Sequence, residues 1–222
     1  MSKTNLPIFD PDCRDCPRLA RFLDQTAEKY PDYHARPVAP FGDRRARLLI
    51  VGLAPGMHGA NATGRPFTGD HAGILLYQTL FDYGFSNQPE SVAREDGLQL
   101  TGCRITNAVK CLPPQNKPQL DEVRTCNRFL GNELDSLPKP AVVLALGKIA
   151  HDAVLRASGQ KLSAFPFGHA REHMIAPGRL LLDSYHCSRY NTQTRRLTQE
   201  MFSDVFRKAA KLLEHRTQSA TG

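Results

Sequence analysis

No apolar run in this 222-residue chain approaches the length needed to cross a membrane. The polar start Met1-Ser-Lys-Thr-Asn5 lacks the basic-then-apolar order of a secretion signal, so a cytoplasmic protein with no membrane partner is expected. Internal repeats and low-complexity tracts are also missing, which excludes a repeat array and leaves a conventional packed core. Cysteine is limited to six residues, and in a reducing cytosol they point to metal ligands or free thiols more than to a disulfide framework. Acid is the scarcer charge: 22 Asp and Glu against 29 Lys and Arg leave a formal net charge of +7. That balance suits a polyanionic partner, nucleic acid first, and equally a generally basic surface.

A hydrophobic content of 41% is enough for one substantial core. A monomeric single domain over residues 1–214 is expected, followed by a polar, disordered tail at 215–222. The segments 47–53, 104–109, 141–147 and 180–185 are short runs rich in branched apolar residues, the pattern of strands buried on both faces. Helical periodicity appears after them. Cys126, Phe129, Leu130, Leu134 and Leu137 share one face, as do Met201, Phe202, Val205, Phe206, Ala209 and Leu213. The expected architecture is a three-layer α/β/α fold around a short, mainly parallel four-stranded sheet.

Four cysteines stand apart from the rest. Cys13 and Cys16 form a C-x-x-C pair, and Cys111 and Cys126 follow roughly a hundred residues later with fourteen residues between them. Thiolates in such spacing hold zinc or an iron-sulfur cluster, and unconnected thiols are the remaining reading. Cys103 and Cys187 have no spacing partners and read as small buried hydrophobes. Pro17, directly after Cys16, suits the first turn of a helix, which places one thiol pair at a helix start.

In open parallel sheets, ligands bind beyond the carboxyl ends of the strands, so loops distant in sequence converge there. Gly52-Leu-Ala-Pro-Gly56 and Gly64-Arg-Pro-Phe-Thr-Gly-Asp70 follow the first strand, Asn107 and Cys111 the second, and His186-Cys-Ser-Arg-Tyr-Asn191 the fourth. A polar, glycine-lined pocket results, in which Phe67 offers a flat face to a planar ring. Taken singly, Phe67 reads as core, the glycines as turn formers, Asn107 as a turn cap and His186 as a structural histidine.

Together, these segments resemble the iron-sulfur-containing family 5, or type B, of the uracil-DNA glycosylase superfamily. The matching residues are Gly52–Gly56, Gly64–Asp70, Thr106-Asn-Ala-Val-Lys-Cys111 with Pro113-Pro-Gln-Asn-Lys117, and Ser184-Tyr-His-Cys-Ser-Arg-Tyr-Asn-Thr-Gln-Thr194. With Cys13, Cys16 and Cys126 they occur in the family's order to about residue 198. The resemblance implies a [4Fe-4S] cluster on Cys13, Cys16, Cys111 and Cys126, in a structural role. It also implies a DNA repair enzyme that flips uracil, and also hypoxanthine or xanthine, out of double-stranded or single-stranded DNA and hydrolyses the N-glycosidic bond.

Carried onto this chain, the family pattern gives each loop a role. Gly52, Leu53, Ala54, Pro55 and Gly56 line the base pocket, Phe67 stacks on the base and Asn107 reads its edge. His186 donates to the base O2, and Asp70 orients water or stabilises the oxocarbenium ion, or else caps the following helix. Related glycosylases commonly carry an acid where this chain has Leu53, which cannot act as a base. Ser188, Arg189, Tyr190, Asn191, Arg195 and Arg196 contact DNA, with Tyr190 as wedge at a position where family members often have glutamine. A uracil-only family 4 glycosylase and a noncatalytic metal-stapled nucleic-acid-binding module are the competing readings.

Overall fold

The computed structural model describes residues 9–218. At its centre, β2 (Leu48–Gly52), β4 (Ala141–Leu146) and β6 (Arg179–Ser184) are buried at every position. A strand covered by helices on both sides has no polar face, which is why these segments read as continuous apolar runs. Strand β3 (Cys103–Asn107) pairs in parallel with β2 and sets Asn107 opposite Gly52; β2 pairs with β4, and β4 with β6, also in parallel. The Ala108 and Val109 amides extend the β2–β3 pairing to the Gly52 and Leu53 carbonyls at 2.9 and 3.0 Å.

The sheet has six strands, not the expected four, in the order β1-β3-β2-β4-β6-β5. Both additional strands lie at edges and run antiparallel: β1 (Phe41–Gly42) beside β3, and β5 (Glu172–Ala176) beside β6. Neither carries an apolar run. Strand β1 has two residues, and only Ile175 of β5 is buried, because an edge strand meets solvent along much of its length.

The two faces of the sheet are covered separately. Leu49, Val51, Val143, Ala145 and Leu181 pack against α1 (Pro17–Lys29), α4 (Leu120–Ser136) and α5 (Lys148–Ala157). Leu48, Ile50, Val142, Leu144 and Leu182 pack against α3 (His71–Asp82), which follows the single-turn α2 (Ala60–Thr63), and against α7 (Gln199–Gln218). Three layers result. The two helical stripes expected from periodicity face inward, with Phe129, Leu130, Leu134, Phe202, Val205 and Phe206 buried. Pro17 occupies the first turn of α1, with Cys16 as its N-cap. Cys103 and Cys187 are fully buried.

Helix α7 runs to Gln218, so it enters the segment expected as a tail; residues 219–222 lie outside the described residues. Among the described residues, no helix is long and apolar enough to cross a membrane.

Candidate active site

Beyond the carboxyl ends of the central strands lies a cavity of about 630 Å³. Leu53, Ala54, Gly56, Phe67, Asp70, Asn107 and His186 all line it. Gly52 and Pro55 do not. Gly52 lies behind Phe67 and Asn107: a Cβ added there would stand 2.6 Å from Phe67 Cζ and 2.4 Å from Asn107 Oδ1. The glycine therefore makes room for the two side chains that reach the cavity.

Phe67 is 6% exposed and adopts φ +56°, a conformation that a bulky residue holds only under constraint. The constraint is visible on both sides. A Cβ on Gly73 of α3 would lie 1.8 Å from the Phe67 carbonyl oxygen, so only glycine lets this backbone lie against the helix. Next to Phe67, buried Arg65 donates to Thr68 Oγ1 and to Asp96 Oδ1, each at 2.9 Å, and Tyr77 donates its hydroxyl proton to the Pro66 carbonyl at 2.7 Å. Burial works against ionised Asp96, yet Arg65 and three backbone amides hold its carboxyl well below the usual range.

Asp70 is the N-cap of α3, and its Oδ1 accepts from the Gly73 amide at 2.9 Å. Its Oδ2 faces the glycines of the first loop, where a Cβ on Gly56 or Gly59 would come within 3.6 or 2.8 Å. The cap thus uses one oxygen of the carboxylate and leaves the other outside that hydrogen bond. Burial raises the Asp70 pKa, and the Gly73 and Ala72 amides oppose that shift.

Asn107 is 3% exposed, and its Oδ1 has no hydrogen-bond partner. Below it, Thr106 and Lys110 converge on Glu133 Oε1 at 2.9 and 2.6 Å, a buried ion pair that stiffens the segment between Asn107 and Cys111. His186 Nδ1 is likewise enclosed without a partner, and burial pushes this imidazole down to about 4. His186 is therefore neutral at neutral pH. Its ring lies 6.0 Å from that of Phe67 at 30°, and Asn191 Nδ2 donates to its carbonyl at 2.8 Å.

The model of the uracil DNA glycosylase superfamily matches residues 39–210. A type-5 uracil-DNA glycosylase of Thermus thermophilus is 49% identical over 205 residues, covering 90% of this chain and 93% of that protein. The chain belongs to the uracil DNA glycosylase superfamily. A second type-5 enzyme, from Pyrobaculum aerophilum, is 44% identical over 202 residues, covering 89% of this chain and 88% of that protein. A type-4 enzyme of Saccharolobus solfataricus is 28% identical over 172 residues, covering 74% of this chain and 72% of that protein. In fold, the chain resembles the crystal structure of wild-type Pedobacter heparinus SMUG2, with a TM-score of 0.51, 12% identity, and coverage of 95% of this chain and 94% of that one.

In this superfamily member, the segment expected to meet DNA contains the short helix α6 (Arg189–Gln193). Ser188 caps it, accepting from the Asn191 amide, while Asn191 itself holds His186; both residues shape the loop from within. Ser188, Arg189, Asn191 and Arg196 also line the cavity. Tyr190 and Arg195 do not, and Tyr190 is 70% exposed. Arg196 lies over the Tyr185 ring at 4.8 Å.

Cys13, Cys16, Cys111 and Cys126 are brought together in a hollow on the α1 and α4 side of the sheet, and none of the four is in a disulfide. The Lys110 amide donates to Cys126 Sγ at 3.3 Å. Burial pushes the Cys16 thiol up to about 11 and raises Cys111 and Cys126 as well; the charge of neighbouring cysteines adds to the rise. A bound cationic centre reverses that balance by stabilising thiolates.

Sequence reasoning passed over Asn116, Tyr185 and Phe167, which also line the cavity. Asn116 lies in the Pro113–Lys117 segment that carries part of the family resemblance, and it sits at φ +57°. Tyr185 directly precedes His186. For Phe167, no signal in the sequence singles it out.

Proposed function

We propose that this chain is a type-5 uracil-DNA glycosylase that flips uracil out of DNA and hydrolyses its N-glycosidic bond, leaving an abasic site. The observation that carries the reading is the convergence of Asp70, Asn107 and His186, from three separate loops, with Phe67 on one cavity. The type-5 relatives' identities and Leu53 in the first loop favour this reading over a type-4 enzyme.

Cleavage of the C1′–N1 bond builds positive charge on the sugar and negative charge on the base. Phe67 stacks on the flipped base, and Asn107, whose Oδ1 is unpartnered, pairs with its edge. Neutral His186 donates a hydrogen bond to the base O2 and stabilises the leaving anion. Asp70, one oxygen fixed as cap, uses the other to orient water or offset the sugar's charge. The first loop supplies no carboxylate, so Asp70 is the acid available. The reading extends to hypoxanthine and xanthine on the family resemblance alone. Arg189, Arg195 and Arg196 contact phosphate, and exposed Tyr190 fills the space left by the flipped nucleotide.

Cys13, Cys16, Cys111 and Cys126 fit a [4Fe-4S] cluster. The four thiols line one hollow, which supports a single centre held by all of them. Bound there, the cluster ties the start of α1 to α4 and to the strand end that carries Asn107. Glycosidic hydrolysis transfers no electron, so the catalytic steps rest on the protein's own side chains.

The test is excision from a uracil-containing labelled duplex with enzyme in excess. The wild-type protein is expected to release uracil, and Asp70→Ala and His186→Ala each to lose most of that rate while still folding and binding DNA. Wild-type-like rates in both variants would overturn the assignment.

A further inference from the structure

Asp183 of β6, three residues before His186, forms a fully buried pair with His151 of α5, whose Nδ1 lies 2.7 Å from Asp183 Oδ1. The other His151 nitrogen, Nε2, lies 2.8 Å from the Phe165 carbonyl. A carbonyl only accepts, so Nε2 is the donor to it, and Nδ1 faces the Asp183 carboxyl. Asp183 Oδ2 accepts from the Gly168 amide at 3.3 Å. The pair thus grips residues 165–168 at both ends, and Pro166 and Phe167 lie inside that grip.

Phe167 lines the cavity. Its ring stands nearly edge-on to His151, 5.6 Å away at 77°, and 6.2 Å from the ring of Tyr185, which also lines the cavity. On the other side of the segment, His169 stacks on Tyr185 at 4.9 Å and 18°, and its Nδ1 accepts from the Tyr185 amide at 3.1 Å. Burial lowers the His169 pKa, which keeps that nitrogen free to accept. The Ala170 amide donates to the Asp183 carbonyl at 2.8 Å, and the Asp183 amide to the Arg171 carbonyl at 2.9 Å. A segment without a regular element over 165–171 is therefore fixed by buried polar contacts to the strand that ends at His186. The placement of Phe167 is determined by the same strand that presents the histidine.

We infer that Phe167 is a specificity-determining wall of the base cavity, and that the buried His151–Asp183 pair is the positioning device that holds it. The cavity admits a planar base, and the Phe167 ring limits the size of that base. This rests on the glycosylase reading above. A buried pair that loses one member leaves the other without its partner, so the wall shifts when either is changed.

The experiment measures single-turnover excision of uracil and of bulkier 5-substituted uracils from the same duplex. Failure of the wild-type protein to excise uracil defeats the glycosylase reading; the wall is judged on the ratio of rates. Phe167→Ala is expected to raise excision of the larger base relative to uracil by at least about tenfold. Phe167→Leu is expected to move the same ratio less, and Asp183→Asn to move it in the same direction by loosening the grip. Equal changes on both substrates in the Phe167 variants, or no activity of Phe167→Ala on the larger base, overturn the proposal. If Asp183→Asn fails to fold, the two Phe167 variants decide it.

Discussion

Asp70 and Gly73 are joined at 2.9 Å, carboxylate to amide, at the turn where the Phe67 loop becomes α3. Because the cap uses only one carboxylate oxygen, stability and chemistry can be separated at this residue. Asn caps a helix about as well as Asp, whereas Ala does not, at a cost of about 1 kcal/mol. Asp70→Asn is therefore expected to melt like wild type yet lose most excision, and Asp70→Ala to lose both. Thermal melting with single-turnover kinetics checks this; an Asn variant with wild-type rates would remove Asp70 from the chemistry.

His186, driven to about 4 by burial, stays neutral through the physiological range. Protonation arises only as pH falls toward that value, so the excision rate constant should be level between about pH 5.5 and about pH 8. The pH profile of single-turnover excision reads this directly. A loss of rate centred near the ordinary histidine value that persists in Asp70→Asn would show that the neutral form of a different histidine is required, whereas a loss confined to enzymes with Asp70 would report protonation of that raised carboxyl.

Gly52→Ala places a methyl group against Phe67 and Asn107 at distances no real side chain tolerates. Overpacking of this kind costs about 1–3 kcal/mol, and the two displaced residues are the ones assigned to base recognition. A lowered melting temperature together with weakened excision is expected. Phe67→Leu in the same chain should recover part of the stability but not the activity. An unperturbed Gly52→Ala enzyme would contradict the packing.

The cysteine quartet predicts iron and sulfide in the purified protein, measured by metal analysis and visible absorbance. Cys111→Ala is expected to lose that iron and to melt well below Cys103→Ala, because both are buried but only Cys111 belongs to the quartet. Stoichiometric zinc in the native protein would reject the cluster.

Tyr190 stands 70% exposed on α6, next to the arginines. If it replaces a flipped nucleotide in the stack, Tyr190→Ala should lose excision on duplex DNA while keeping it on single strands, where there is no stack to fill. Equal losses on both substrates would remove the wedge.

The sequence by itself determined the central strands, the inward helix stripes and the loops that carry Asp70, Asn107 and His186. Each depends on local chemistry: apolar runs where a strand is covered on both faces, and glycine, amide and imidazole placed directly after those runs. Motif resemblance then assigned roles that no single residue declares. The tertiary structure alone decided the rest. Edge strands β1 and β5 carry little apolar signal because they meet solvent, so pairing with β3 and β6 was needed to reveal them. Phe167 reaches the cavity on a segment whose neighbours Phe165 and Gly168 bond to His151 and Asp183, which lie 16 residues before Phe167 and 16 after it in the chain. Contacts of that separation are fixed by packing rather than by local pattern, which is why the wall of the site could be read only from the folded chain.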